Sequence, residues 1–272
     1  MTLLRVERLA KAYLGVKAVD DVSFTVGAGE IAGLIGPNGS GKSTTIDCLS
    51  AFQRADGGRW HLGDVELTGR APHAIARLGL TRTFQAIRCY ESLSLVENLL
   101  CATEARQAIG WRDAFFATAR LHAHDRLARA KAVELLDLVG LTRYADAPAG
   151  VLSYGQRKLL ALAGALMTEP KLILLDEPVA GVNPTMIRTI ERAIERINAA
   201  GIALLIVEHN VEFIMALCSR VIVLDAGRLL AEGPPAIIRD DPRVLEAYMG
   251  GAPDDLAPGG FEAGDARASA RV

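Results

Sequence analysis

The sequence predicts an α/β fold whose core is interrupted by a mostly helical segment and then completed. Three observations predict it. The apolar run IAGLI (31–35) leads into the glycine-rich stretch GPNGSGKS, and TTIDCLSAF after it can continue as a helix. After residue 92 the composition turns Ala-, Leu- and Arg-rich with helical spacing. Two further apolar runs, LILL (172–175) and ALLIV (203–207), then restore the character of strands buried on both faces.

Each element has its own reason. LLRVERL and VSFTV alternate apolar and polar residues, as half-buried strands do. GRWHLGDVEL (58–67) reads as strand, turn and strand. Ser94 and Glu97 form a capping box at the start of SLSLVENLLCATEARQ. LARAKAVELLDLVGL (127–141) is an amphipathic helix ending at Gly140. Asn183 can cap a helix with Pro184 at its first position, and Gly201 stops it. Ile187, Ile190, Ile194 and Ile197 line one face of that helix. VIVLDAGRLLAEG (221–233) reads as a hairpin, and 250–272, with almost nothing to bury, as a disordered tail. These boundaries give one domain over 1–249, with its core at 1–91 and 166–249 and a helical subdomain at about 92–165.

Composition narrows the function classes. The chain has 272 residues, 50% of them hydrophobic and 23% charged, which is a folded composition. Aromatics are only 5%, so aliphatic side chains must build the core. A net charge of −2 gives no basic field and argues against a dedicated nucleic-acid binder. The apolar runs fall far short of the ~20 residues a membrane helix needs. Charges within MTLLRVERLAKAY argue against a secretory signal. Cys48, Cys89, Cys101 and Cys218 form no C-x-x-C pair and read as reduced thiols. Of the basic residues, 24 are Arg and only 6 Lys, so a lysine inside a motif carries weight.

Gly36-Pro37-Asn38-Gly39-Ser40-Gly41-Lys42-Ser43 fits G-x-x-x-x-G-K-[ST] between a strand and a helix. Its glycines let backbone N–H groups curl around phosphate oxygens, and the helix behind offers its positive end. Lys42 would reach the β- and γ-phosphates of ATP, and Ser43, followed by Thr44, would ligate Mg²⁺. LILL ends in Asp176 and Glu177. Asp176 can hold Mg²⁺, usually through water, and Glu177 can polarise an attacking water. Together these motifs make a P-loop NTPase. Leu152-Ser153-Tyr154-Gly155-Gln156 precedes the apolar helix RKLLALAGALM, and a Ser153 cap would form a second phosphate-binding edge.

At this point the chain resembles the ATP-binding subunits of ABC transporters. LSYGQ looks like their LSGGQ signature, with Tyr154 where most members have Gly. The order of motifs matches over about residues 3–249: P-loop, a glutamine loop at Gln85, signature, acidic strand end, and His209 after the next strand. The resemblance implies a RecA-like core, an N-terminal antiparallel β subdomain and an inserted α-helical subdomain. It implies that Gln85 contacts Mg²⁺ and the attacking water and transmits motion to the membrane subunit. It also implies that His209 binds the γ-phosphate, that Tyr13 stacks on adenine, and that Ser153, Gly155 and Gln156 contact nucleotide. Asn183 replaces the Asp of the common S-A-L-D loop.

The segments TRTFQAIRCYESLSLVENLL, AGVNP and VEHNVEFIM look like the branch that imports branched-chain amino acids. That implies a head-to-tail ATPase dimer with a second, often different, ATPase subunit. It also implies two transmembrane permease subunits, an extracytoplasmic solute-binding protein, and a peripheral place on the cytoplasmic face of the inner membrane. A urea, amide, lipid or lipopolysaccharide transporter stays open as an alternative, as does a soluble ABC ATPase.

Overall fold

The computed structural model describes residues 1–83, 89–104 and 118–250. Two sheets organise them. The first is antiparallel, in the order β2-β1-β4-β5, from β1 (Thr2–Tyr13), β2 (Val16–Gly27), β4 (Gly57–Leu62) and β5 (Val65–Glu66). β1 and β2 pair from Thr2↔Gly27 to Tyr13↔Val16 and turn over Leu14 and Gly15. Both turn residues have positive φ, 48° and 86°, the twist that a two-residue hairpin loop requires. The second sheet has the order β10-β9-β3-β8-β7-β6. It contains β3 (Ile31–Ile35), β6 (Leu80–Arg82), β7 (Leu172–Asp176), β8 (Ala203–Val207), β9 (Arg220–Asp225) and β10 (Arg228–Gly233). Neighbours from β9 to β6 run parallel, and β10 closes the edge as an antiparallel hairpin with β9.

The six-stranded sheet divides the core by the two-residue period of a strand. Ile31, Ile35, Ile173, Leu175, Leu204, Ile206, Val221 and Val223 face one cluster. That cluster contains buried residues of the helices Leu95–Glu104, Thr118–Leu138, Tyr154–Leu166, Pro184–Ala199 and Val211–Leu217. Ala32, Leu34, Leu172, Leu174, Leu205, Val207, Ile222 and Leu224 face the other, with the helix Lys42–Leu49 and the inner side of the antiparallel sheet. Continuous apolar runs at β3, β7 and β8 are thus the direct signature of strands buried on both faces.

Local signals hold where expected. Ser94 and Glu97 make both bonds of the capping box, Ser94 N–H to Glu97 Oε2 at 2.8 Å and Glu97 N–H to Ser94 Oγ at 3.2 Å. Asn183 Oδ1 accepts from Met186 N–H at 2.9 Å. Ile190, Ile194 and Ile197 are buried, whereas Ile187 is partly buried at the margin of the core. The helix expected over 127–141 begins earlier, at Thr118. The last helix, Pro242–Gly250, takes in the first residue of the expected tail; 251–272 lie outside the described residues.

Candidate nucleotide-hydrolysis site

Parallel strands place their carboxyl ends on one edge, and this edge collects motifs that are distant in sequence. The P-loop leaves β3, His209 follows β8, Asp176 ends β7, and Thr83 leaves β6. Thr83 N–H still bonds the β7 carbonyl of Leu174 at 2.9 Å.

The P-loop is clamped from two sides. A Cβ on Gly36 would lie 2.1 Å from the Leu224 carbonyl oxygen, and one on Gly41 2.3 Å from that of Ala18. Only glycine fits so close an approach, and at Gly41 φ is +99°, which glycine alone adopts without strain. Gly227 N–H, in the β9–β10 turn, donates to the Ser40 carbonyl at 3.1 Å. Pro37 and Ser40 are buried, and Asn38, Gly39 and Ser43 are exposed. Gly41 is the N-cap of Lys42–Leu49 and offers no side-chain cap, so that helix's first N–H groups have no side-chain acceptor at the cap. Lys42 is buried, its ammonium donating to the carbonyls of Gly36 (2.7 Å) and Pro37 (3.0 Å). Ser43 and Thr44 follow on the first turn.

Glu177 is held from three directions. Its N–H donates to the β8 carbonyl of Val207 at 2.8 Å. Its carbonyl accepts from the Lys158 ammonium. Its carboxylate Oε1 lies 2.9 Å from His209 Nε2. These contacts hold a backbone at φ +48°, a conformation that a non-glycine residue seldom takes. Glu208 lies behind, buried, accepting from the N–H groups of Val179 (2.7 Å) and His209 (3.0 Å). Burial pushes the Glu208 carboxyl pKa up, against those N–H groups and Lys158. Burial lowers that of Lys158, against Glu208, Glu177 and Asp176.

Asp176 is bound by Arg82, whose Nη2 lies 2.8 Å from Asp176 Oδ2 and whose Nη1 lies 2.5 Å from Asp47 Oδ1. Asp47 is one helical turn beyond Ser43, so Arg82 draws the Ser43 face of that helix towards the end of β7. Among the described residues no cluster of three or more His, Cys, Asp or Glu could hold a metal ion. The donors at this edge are a hydroxyl and a carboxylate, hard oxygens. They fit Mg²⁺, which takes one or two protein ligands and completes its shell with water and phosphate.

The signature opens the helix Tyr154–Leu166. Ser153 and Gln156 form a reciprocal capping box, with Ser153 N–H to Gln156 Oε1 at 2.9 Å and Gln156 N–H to Ser153 Oγ at 3.4 Å. Gly155 is buried against Met186 and Val182. The exposed Tyr154 ring lies 5.5 Å from the Lys158 ammonium. Tyr13 ends β1 with its ring half-exposed, 5.2 Å from the Lys11 ammonium.

Gln85 lies outside the described residues. The cysteines are free thiols; burial pushes Cys48 up to about 11 and Cys218 up to about 12, which suits inert core positions. Sequence reasoning missed Arg82, Lys158 and Glu208. Lys158 had a usable signal, being one of 6 lysines and two residues past the signature. Arg82 stands three residues before Gln85 but belongs to no motif that names it.

A family model described as ABC transporter matches residues 19–180, and one described as branched-chain amino acid ATP-binding cassette transporter matches 228–254. The high-affinity branched-chain amino acid transport ATP-binding protein BraF of Pseudomonas aeruginosa is 36% identical over 251 residues, covering 92% of this chain and 98% of its own. LivG of Escherichia coli, of the same description, is 35% identical with the same coverage. The probable LivG of Archaeoglobus fulgidus is 35% identical over 95% of this chain and all (100%) of its own. A crystal structure of a nucleotide-free ATP-binding cassette from an ABC transporter superposes with TM-score 0.79 at 34% identity, over 91% of this chain and 99% of that one. The ADP conformation of such a cassette gives 0.79 at 33% identity, over 92% and 99%.

Proposed function

Because the chain belongs to the ABC transporter ATP-binding family, we propose that it is the ATP-hydrolysing subunit of an importer for branched-chain amino acids. The His209–Glu177 contact at the strand edge that carries the P-loop supports this reading most directly. Glu177 takes the role of general base, and His209 orients it and the attacking water. Backbone N–H groups of 36–43 cradle the phosphates, and Lys42 gives up carbonyl contacts to neutralise the β/γ oxygens. Tyr13 supplies an exposed ring for adenine. Ser43 and Asp176 would hold Mg²⁺, with Gln85 as a further ligand, and the ion would neutralise charge on the phosphates.

The exposed Ser153 edge, with Gly155 and Gln156, serves the ATP of a facing subunit rather than its own. Two ATPase chains then close head to tail on ATP and open when hydrolysis removes the γ-phosphate. The facing chain is a second ATPase subunit, either a paralogue or another copy of this chain. The dimer sits on two transmembrane permease subunits fed by an extracytoplasmic solute-binding protein. No helix among the described residues is long and apolar enough to cross a membrane. In the importer reading this chain docks peripherally on the permeases at the cytoplasmic face.

Co-purification from native membranes in mild detergent, with ATP and vanadate, tests the assignment. We expect two multi-span permeases and a second ATPase, and leucine uptake by the reconstituted complex that stops with Glu177→Gln. Recovery from the soluble fraction alone would replace the transporter reading with a non-transport ATPase.

A further inference from the structure

The Arg82 guanidinium sits between two carboxylates from different elements. Arg82 ends β6, Asp176 ends the neighbouring strand β7, and Asp47 lies on the helix behind the P-loop. The guanidinium also lies 3.3 Å from Ser50 Oγ and 5.6 Å from the Phe52 ring. Its side chain is 8% exposed, against 11% for Asp176 and 30% for Asp47. The cation is therefore fixed in place and, being arginine, permanently charged. It occupies Oδ2 of Asp176.

We propose that Arg82 and Asp47 act as positioning residues that set the charge, and hence the divalent-cation affinity, of Asp176. This rests on the reading of Asp176 as the metal-holding carboxylate. The trio carries a formal charge of −1. Arg82 opposes an incoming cation, Asp47 offsets Arg82, and the partial burial of all three keeps solvent from screening either effect. A salt bridge with a purely architectural role would weaken metal binding when cut. Here removal of Arg82 strengthens it.

The test is a charge series on the full-length chain, reading Mn²⁺ affinity by electron paramagnetic resonance with a non-hydrolysable ATP analogue. Arg82→Met makes the trio −2 and tightens Mn²⁺ at least about fivefold. Asp47→Asn makes it 0 and weakens Mn²⁺ by about the same factor. The double variant restores −1 and returns to within about twofold of the parent. Analogue binding without metal stays within about twofold throughout, because the P-loop is untouched. If Arg82→Met fails to fold, Asp47→Asn and the double variant still carry the comparison. A flat series, tightening absent from Arg82→Met, or a double variant as altered as either single one overturns the proposal. Asp176→Asn separates the two levels. If it leaves Mn²⁺ affinity unchanged, the metal-site reading itself fails; if it removes that affinity while the series is flat, only the role of Arg82 and Asp47 fails.

Discussion

His209 Nε2 lies 2.9 Å from Glu177 Oε1, although 32 residues separate them in sequence. The contact joins the ends of adjacent parallel strands, β8 and β7, whose register pairs Asp176 with Val207. Glu208 adds a second tie across the same gap through Val179 N–H. A carboxylate fixed at both backbone and side chain would need little reorganisation to serve as the general base proposed for it.

Glu177→Gln keeps the shape and removes the carboxylate proposed as the base. We expect ATP binding to persist and turnover to fall by about 10²–10⁴-fold. Single-turnover hydrolysis with the partner subunit present checks this; near-normal turnover would sink the assignment of Glu177.

Lys42→Ala should act earlier, on binding. The ammonium is buried among loop carbonyls, so its loss removes both phosphate neutralisation and the loop's internal clamp. Nucleotide affinity should drop by at least about tenfold. Fluorescent ATP-analogue titration reads it, and unchanged affinity would contradict the P-loop reading.

Lys158→Met tests the tie between the signature helix and Glu177. A hydrogen bond from a charged donor contributes about 1.5–3 kcal/mol, so turnover should fall roughly tenfold or more if that bond positions the base. Analogue affinity should stay near the parent's, and Lys158→Arg should recover part of the rate. Equal turnover in Lys158→Met and the parent would leave the lysine a packing residue.

Glu208 sets a pH dependence of stability. Its pKa is raised in the folded chain, so its contribution is fully present below the ordinary value of 4.5 and is lost as pH rises through the folded value. Gln mimics the protonated acid at every pH. The stability of Glu208→Gln relative to the parent should therefore increase as pH rises from about 4.5 towards neutrality. Urea unfolding across that range measures the difference, and a constant or falling difference would refute it.

The sequence by itself determined the strands buried on both faces, the P-loop with its flanking strand and helix, and the caps at Ser94, Ser153 and Asn183. Those features are local: an apolar run, a glycine spacing or a capping hydroxyl states its own geometry within a few residues. It also carried the motif order that leads to the family. Only the tertiary structure decided that Arg82 would clamp Asp47 to Asp176, that Lys158 would hold the Glu177 carbonyl, and that Glu208 would tie β8 to the loop after β7. The strand order β3-β8-β7-β6 is not the chain order, so Arg82 and Asp176 meet at this edge although 94 residues separate them. An arginine, a lysine or a glutamate reads the same in sequence whether solvated or locked in place. Parallel pairing and burial give each of these three its partner, because a buried charge is stable only where an opposite charge or hydrogen-bonding group meets it.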